Sequence, residues 1–239
     1  MSTTAQIIPE RLDALTRGKV YLDNGSHHSF GDGHCAMEVV SWLAGLGHTD
    51  APECASPVLR DFTINLNDTW GPVQRQKLVP FLPRMVGTAN DGQDEARSYL
   101  ALDWLIRTHT PAWLELAGLT EDAQNLRGLP EIVDLVTAEQ AGAVVRTAYE
   151  HADAAWDAAR ATAWAAPRAA SGDAAGDAAW DAAWHARATA GNAARYAARA
   201  AASVAGVAAP DSLQPTVTTL QASALELLDR MINPSAVAA

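Results

Sequence analysis

The 239-residue chain has only two cysteines, Cys35 and Cys54. Two cysteines are too few for a disulfide framework, and this favours a reducing compartment. The chain also lacks basic character, because its 17 Lys and Arg face 28 Asp and Glu and form no basic run. A net charge of −11 argues against a nucleic-acid groove and against binding to an anionic membrane.

Long apolar runs are missing as well. No stretch of about 18 apolar residues occurs, so we predict no bilayer-spanning segment. The first residues, MSTTAQIIPERLDAL, lack the basic-then-apolar pattern of a secretory signal. Together with the cysteine usage, these features predict a cytoplasmic protein.

Helix signals recur along most of the chain, and we predict an all-α multi-helix bundle with at most one short hairpin near residues 18–29. Ser56-Pro57 and Thr110-Pro111 each place a capping residue before a proline. Asp32 is a predicted N-cap, and Pro80 and Pro83 should divide the helix that Gly71-Pro72 begins. Further helices are predicted over residues 91–108, in TEDAQNLRGL and in PEIVDLV.

The second part of the chain is rich in alanine, the strongest helix former. Thr137 to Gln140 fits a capping box that opens a long helical region. From Asp153 this region falls into four-residue units such as DAAW, and Pro167 with Ser171-Gly172 should divide it into two helices. We interpret its tryptophans mainly as a packing seam. We therefore predict one domain over residues 1–136, with residues 137–239 packed on it.

The last helix has one continuous apolar stripe, with steps of four, three, four, three and four residues. The stripe consists of Leu213, Val217, Leu220, Ala224, Leu227 and Met231.

Residues 24–68 hold both cysteines, four of the seven histidines and five of the sixteen glycines. Glycines 25, 31 and 33 precede a helix start, where free backbone amides favour an anion. Neither a Walker nor a Rossmann glycine pattern is present. We predict that a small anionic ligand binds here, to side chains drawn from the following set: Ser26, His27, His28, His34, Cys35, Glu38, His48, Asp50, Asn67 and Asp68.

Three other interpretations of this stretch stay open. A helix N-terminus lowers a thiol pKa, which suits Cys35 as a nucleophile with a histidine base. Cys35, His48, Asp50 and Cys54 are ligand types for zinc, but their spacing is not that of a zinc motif. The loop also fits a purely structural plug. The sequence thus identifies no catalytic residue, no metal site and no cofactor.

The segments GSHHSFGDGHCAMEVVSWLAG, HTDAPECASPVL, PRMVGT and LQASALELLDRMI resemble a family of uncharacterised proteins from actinobacteria, other bacteria and their phages. That family is similar in its order GSH…CxME…LAG…DxPxC…PVL…ND, followed by an Ala/Asp/Trp-rich helical segment. The resemblance implies no catalytic role for any residue. The positions that match are Cys35, Met37, Glu38, Asp50, Pro52, Cys54, Pro57, Asn67 and Asp68.

The leading hypothesis is a non-enzymatic protein that binds a small anion, of which a nucleotide signal is one example; a phage-borne member would then sequester an immune messenger. One alternative is a metal- or thiol-dependent enzyme that uses Cys35, Glu38, His48 and Cys54. The other is a structural or assembly protein, for which homo-oligomerisation is an open possibility. We expect neither nucleic acid nor a membrane as partner.

We predict that both cysteines are reduced in the native protein. Alkylation of denatured but unreduced protein, followed by mass spectrometry, should add two alkyl groups. A mass that lacks both groups would contradict this, because it would mean a disulfide between Cys35 and Cys54.

Overall fold

The computed structural model of the chain describes residues 6–162, 177 and 213–234. Within these residues the secondary structure is helical and contains no strand, which confirms the all-α fold. The segment around residues 18–29, where one hairpin was allowed, is an irregular loop. This loop is closed by a single long-range backbone bond, in which the Asp23 N–H donates to the His34 carbonyl at 2.9 Å.

The helices are short in the first half of the chain and longer near its end. Their order is α1 Pro9–Thr16, α2 Ala36–Leu43, α3 Pro57–Thr69, α4 Pro72–Arg75, a 3-10 helix Gln76–Phe81, α5 Leu82–Met85, α6 Asp94–Trp104, a π-helical turn Leu105–His109, α7 Thr110–Leu116, α8 Thr120–Arg127, α9 Leu135–Thr162 and α10 Gln214–Ile232.

Two predicted helix starts are confirmed. The Ser56 hydroxyl accepts hydrogen bonds from the amides of Val58 and Leu59, so it caps α3, and Pro57 occupies the first turn. The helix that begins at Pro72 is divided as expected. Pro80 lies inside the 3-10 segment and α5 follows it, because each proline removes a backbone donor.

The predicted cap of α2 is wrong. The helix begins three residues later than Asp32 implied, and Cys35 is its N-cap. Asp32 instead accepts a hydrogen bond from the Ser29 hydroxyl at 2.8 Å, within the exposed loop. The carboxylate of Glu38 reaches back to the Cys35 amide at 2.7 Å, and this capping box fixes the helix start.

The predicted cap at Thr110 is also wrong, because the chain stays helical from Asp94 to Leu116. The Thr110 hydroxyl donates to the Leu105 carbonyl at 2.8 Å, as it does inside a helix. The π-helical turn at Leu105–His109 widens the helix just before Pro111. A wider turn accommodates a proline, since proline has no N–H and its ring crowds the preceding turn.

The PEIVDLV segment is not a helix of its own. Its Ile132 N–H donates to the Asp103 carboxylate at 2.9 Å, and this tertiary bond holds the backbone out of a helical path. The helix α9 starts at Leu135 rather than at Thr137. Asp134 accepts from the Thr137 amide at 2.8 Å, and the Thr137 hydroxyl accepts from the Asp134 amide at 3.1 Å, so the reciprocal cap begins at Asp134.

The chain divides into two compact units, one of Met1–Arg97 with Leu228–Ala239 and one of Ser98–Leu227. In the first unit α2 packs against α1, α3 and α5. In the second unit α8 packs against α7 and α9. The predicted division at residue 136 stays a prediction, and the Ala/Trp repeat beyond Thr162 lies outside the described residues.

The apolar stripe of the closing helix is confirmed. All six of its side chains are at most 4% exposed. Apolar residues that recur at the 3.6-residue period of a helix all lie on one face, and the sequence therefore predicts that this face is buried.

A buried arginine organises the first unit around the end of α10. The Arg97 side chain is fully buried; its Nε donates to the Met231 carbonyl at 2.9 Å, and Nη1 donates to Asp91 and Asp94 at 2.8 and 3.0 Å. Asp94 also accepts from the Ser56 hydroxyl that caps α3. One guanidinium therefore ties together the 91–94 turn, the start of α3 and the last turn of α10.

Replacing Arg97 with methionine should lower the free energy of unfolding by about 3–5 kcal/mol, since it leaves two carboxylates without their buried partner. Arg84→Met is the matched control. Arg84 of α5 pairs with Asp229 of α10, but both side chains are exposed, so its loss should cost about 1 kcal/mol or less. Equal losses in urea unfolding would contradict the central role of Arg97.

Candidate functional site

The predicted site is built around the carboxylate of Glu38, in the first turn of α2. Its side chain is 1% exposed. It accepts three hydrogen bonds, from the His27 amide at 2.7 Å, the His27 ring Nδ1 at 2.9 Å and the Cys35 amide at 2.7 Å. A carboxylate buried to this degree needs such donors, because an unpaired buried charge is strongly destabilising.

His48 adds a second imidazole to this centre. Its Nε2 donates to the His27 carbonyl at 3.0 Å and lies 3.4 Å from Glu38 Oε1. The loop that follows α2 is thereby attached to the loop that precedes it. The side chains of His27 and His48 are 12% and 19% exposed, so both rings lie near the surface but are largely covered.

The pKa of Glu38 reflects two opposing causes. Burial by itself raises this pKa. The hydrogen bonds from the His27 and Cys35 amides and from the His27 ring together lower it by more than burial raises it, so the pKa of Glu38 lies below its ordinary value. Glu38 is therefore ionised at neutral pH and accepts hydrogen bonds from the loop that precedes α2.

The end of α3 forms a second anchor for the same loop. Asn67 Oδ1 accepts from the Ala36 amide at 3.1 Å, and its Nδ2 donates to the Asp23 carbonyl at 2.9 Å. Asp68 accepts from the Gly25 amide at 3.0 Å and from Asn67 at 3.0 Å. Asn67 and Asp68 thus hold in place both the part of the loop at residues 23–25 and the start of α2.

The start of α2 therefore has side-chain acceptors for the amides that we expected an anion to bind. The amide of Cys35 donates to Glu38, the amide of Ala36 donates to Asn67, and the capping box directs the amide of Glu38 to the Cys35 sulfur. These three amides are therefore not free to bind an anion.

Gly33 allows the loop to close over His27. Its φ is +128°, and a Cβ there would lie 2.7 Å from the His27 ring atoms Cδ2 and Nε2. A side chain at this position is thus excluded both by the backbone conformation and by space. The close approach keeps the His27 ring pressed against the loop while its Nδ1 donates to Glu38.

Three aromatic rings form a stack beside this network. The Phe30 ring lies parallel to the His34 ring, with centroids 4.1 Å apart, and it also stacks on Trp42 at 4.7 Å. His48 meets the edge of Phe30 at 6.4 Å, and the Arg11 guanidinium lies over Trp42 at 5.4 Å. The stack is a small core that holds the exposed part of the loop.

His34 is unusual within this stack. Both of its ring nitrogens are buried, and neither has a hydrogen-bond partner among the described residues. Burial lowers the pKa of His34, and the carbonyls of Phe30 and Gly33 offset this only in part. The ring is therefore neutral at pH 7.

The two thiols are buried and free. Burial raises the pKa of Cys35 to about 12, and the charge of Asp50 acts in the same direction. Burial also raises the pKa of Cys54. A thiol in this state is protonated at neutral pH and is a poor nucleophile and metal ligand.

The structure brings His27, Cys35 and His48 into contact with Glu38, and Asn67 and Asp68 at the end of α3 bond the same loop. Ser26 and His28 are exposed on the outer side, and Asp50 is half-buried. In the part of the chain that the structure describes, no group of three or more His, Cys, Asp and Glu side chains is arranged to hold a metal ion. None of the helices described has the length and apolar character needed to cross a bilayer.

Phe30, Trp42 and Arg11 also belong to this region, and no sequence motif singled them out. The available signal for the role of Phe30 was its position as an aromatic residue inside a polar, glycine-rich loop. Its stacking partners become evident only when the loop folds back on α2.

Comparisons with protein families, with curated proteins and with solved structures give no match for this chain.

Substitution of Glu38 by glutamine should destabilise the protein by about 2–3 kcal/mol at pH 7, since hydrogen bonds to a charged acceptor are lost and an amide N–H faces other donors. Glu53→Gln, at an exposed position of the neighbouring loop, should change stability by about 0.5 kcal/mol or less. Urea unfolding measures both.

The same variant should change the pH dependence of stability. Because the folded pKa of Glu38 lies below the ordinary value of 4.5, its contribution is fully present above that pH and is lost as the pH falls through the folded pKa. Glu38→Gln should remove this part of the acid destabilisation. An unchanged acid profile would contradict the assigned role of Glu38.

Proposed function

We propose that the protein is a non-enzymatic binding protein for a small anion, which contacts the outer face of the 25–38 loop with help from residues 48–54. The observation that carries the proposal is the concentration of imidazoles there. His27, His28, His34 and His48 lie within or against one loop of a protein whose net charge is −11. Imidazole N–H groups donate to anions, and they do so more strongly when charged.

The exposed side chains of this face suit such a ligand. Ser26 supplies a hydroxyl and His28 an imidazole, and both side chains are exposed. Behind them, Glu38 and Asp68 accept hydrogen bonds from the loop, and these bonds compensate part of their negative charge. An anion therefore meets less repulsion here than at an acidic surface with unengaged carboxylates.

The state of the candidate catalytic groups supports binding over chemistry. A pKa of about 12 at Cys35 leaves almost no thiolate at neutral pH. The carboxylate of Glu38 accepts three hydrogen bonds from the protein itself, so its lone pairs are committed to structure. These observations weigh against a thiol-dependent enzyme at this loop.

A nucleotide is one example of the proposed small anion, because it carries a phosphate. The assembly hypothesis rested on the Ala/Trp repeat, most of which lies beyond Thr162 and outside the described residues. The sequestering role considered for a phage-borne member and the cytoplasmic location both stay predictions.

Isothermal titration of the purified protein at pH 7 with inorganic phosphate, and separately with adenosine monophosphate, tests the proposal. His28→Ala and Ser26→Ala should each weaken binding by about tenfold or more, the effect of losing one hydrogen bond to a charged group. Both side chains are exposed, so the melting temperature should stay unchanged.

His151→Ala is the matched control. It removes another largely exposed imidazole, one that bonds Asp122 in the second unit, so anion affinity should not change. Tighter binding of adenosine monophosphate than of phosphate would indicate a nucleotide-type ligand. Failure of the wild type to bind either anion, or an equal loss in His151→Ala, would contradict the proposal.

A further inference from the structure

The stacked His34 ring is energetically costly as it stands. Two buried ring nitrogens without a hydrogen bond of good geometry lose their bonds to water on folding, and the nearby carbonyls of Phe30 and Gly33 compensate this only in part. Native structures contain few buried polar groups without hydrogen bonds, and each such group needs a physical explanation. A phenylalanine or leucine would fill the same stack without this cost, so packing alone does not account for a histidine here.

The segment that carries His34 is weakly held. Residues 28, 29, 31 and 32 are exposed, and their side-chain bond between Ser29 and Asp32 lies at the surface. The segment is attached to the rest of the first unit by the ring stack of Phe30 with His34 and Trp42, and by the hydrogen bond from the Asp23 amide to the His34 carbonyl. Removing one ring from the stack therefore weakens this attachment.

Charged and titratable groups face the stack from several sides. His27 opposes a positive charge on His34, whereas the Glu38 carboxylate and the carbonyls of Phe30 and Gly33 favour one. Glu38 already accepts hydrogen bonds from His27 and Cys35, and it makes none to His34.

A guanidinium and a further imidazole also lie at the other rings. Arg11 lies over the face of Trp42, and His48 lies at the edge of Phe30. A charge on His34 would thus lie in a region that already contains a guanidinium and two further imidazoles.

We propose that His34 is an acid-sensitive latch: when its ring takes up a proton it leaves the stack on Phe30, and the 28–34 segment opens. Phe30 then loses one of its two stacking partners and uncovers Trp42. The latch is independent of anion binding, because it opens whether or not a ligand is present.

The direction of the pH effect follows from linkage. Burial lowers the pKa of His34 in the closed loop, and the exposed ring returns towards the ordinary value of 6.5. The open loop therefore binds the proton more readily. Opening is disfavoured above pH 6.5 and rises as the pH falls below it, by at most tenfold for each pH unit for one proton.

Hydrogen exchange of the full chain at pH 7.5 and pH 5.5, expressed as protection relative to the unstructured peptide, tests the latch. The reporters are the amide of Asp23, which donates to the His34 carbonyl, and the amide of Asp32, which donates to the Ser29 carbonyl. In the wild type both should lose protection at pH 5.5, whereas the amides of α3 should not.

His34→Phe keeps a ring for stacking but cannot take up a proton, so its loop protection should be the same at both pH values. His34→Leu serves the same purpose if the larger ring does not fit. His28→Ala, which removes a titratable side chain from the same loop outside the stack, should behave like the wild type. Loss of protection at pH 5.5 in both His34 variants, or none in the wild type, would overturn the proposal.

Discussion

The arrangement of the first unit depends on how one buried carboxylate is satisfied. Glu38 is 1% exposed, so its charge is tolerated only while the amides of His27 and Cys35 and the His27 ring donate to it. These donors come from both ends of the loop. Satisfying the charge therefore requires the whole loop to fold over the start of α2, and Gly33 is the residue whose lack of a side chain lets His27 approach.

The same constraint limits what the site can do. A carboxylate that holds the loop closed is not available as a proton acceptor for a substrate, and the thiol beside it is buried and protonated. What the loop presents to solvent is a face of hydroxyl and imidazole groups with a stack of aromatic rings at its side. Such a face is suited to recognition, and its one costly element, the unpartnered ring of His34, is suited to respond to protons.

The sequence predicted those features that depend on local pattern. The stripe of α10, the Ser56-Pro57 start of α3 and the division at Pro80 follow from periodicity, capping and the missing proline donor. Contacts between distant residues changed the rest. The amide of Ile132 is drawn to Asp103, so PEIVDLV forms no helix of its own, and the helix from Asp94 continues through a π-helical turn past Thr110.

At the site, the spacing of Cys35 and Glu38 contained the capping-box signal, but cysteine is an uncommon first member of that motif and Asp32 was the stronger local candidate. Of the ten residues proposed from the sequence as ligand-binding, His27, Cys35 and His48 meet Glu38, and binding itself stays a prediction. The chemistry of this cluster differs from the expectation, because side chains of the protein already bond the helix amides. The roles of Phe30 and Trp42 depend on the path of the loop, which no local rule specifies.

That Glu38 organises the loop is tested most directly by two-dimensional NMR of the amide protons of His27 and Cys35 during acidification. Both amides donate to this carboxylate, so their proton shifts should move together with one common midpoint below the ordinary glutamate value of 4.5. Separate midpoints, or a common midpoint at or above 4.5, would contradict the central position of Glu38.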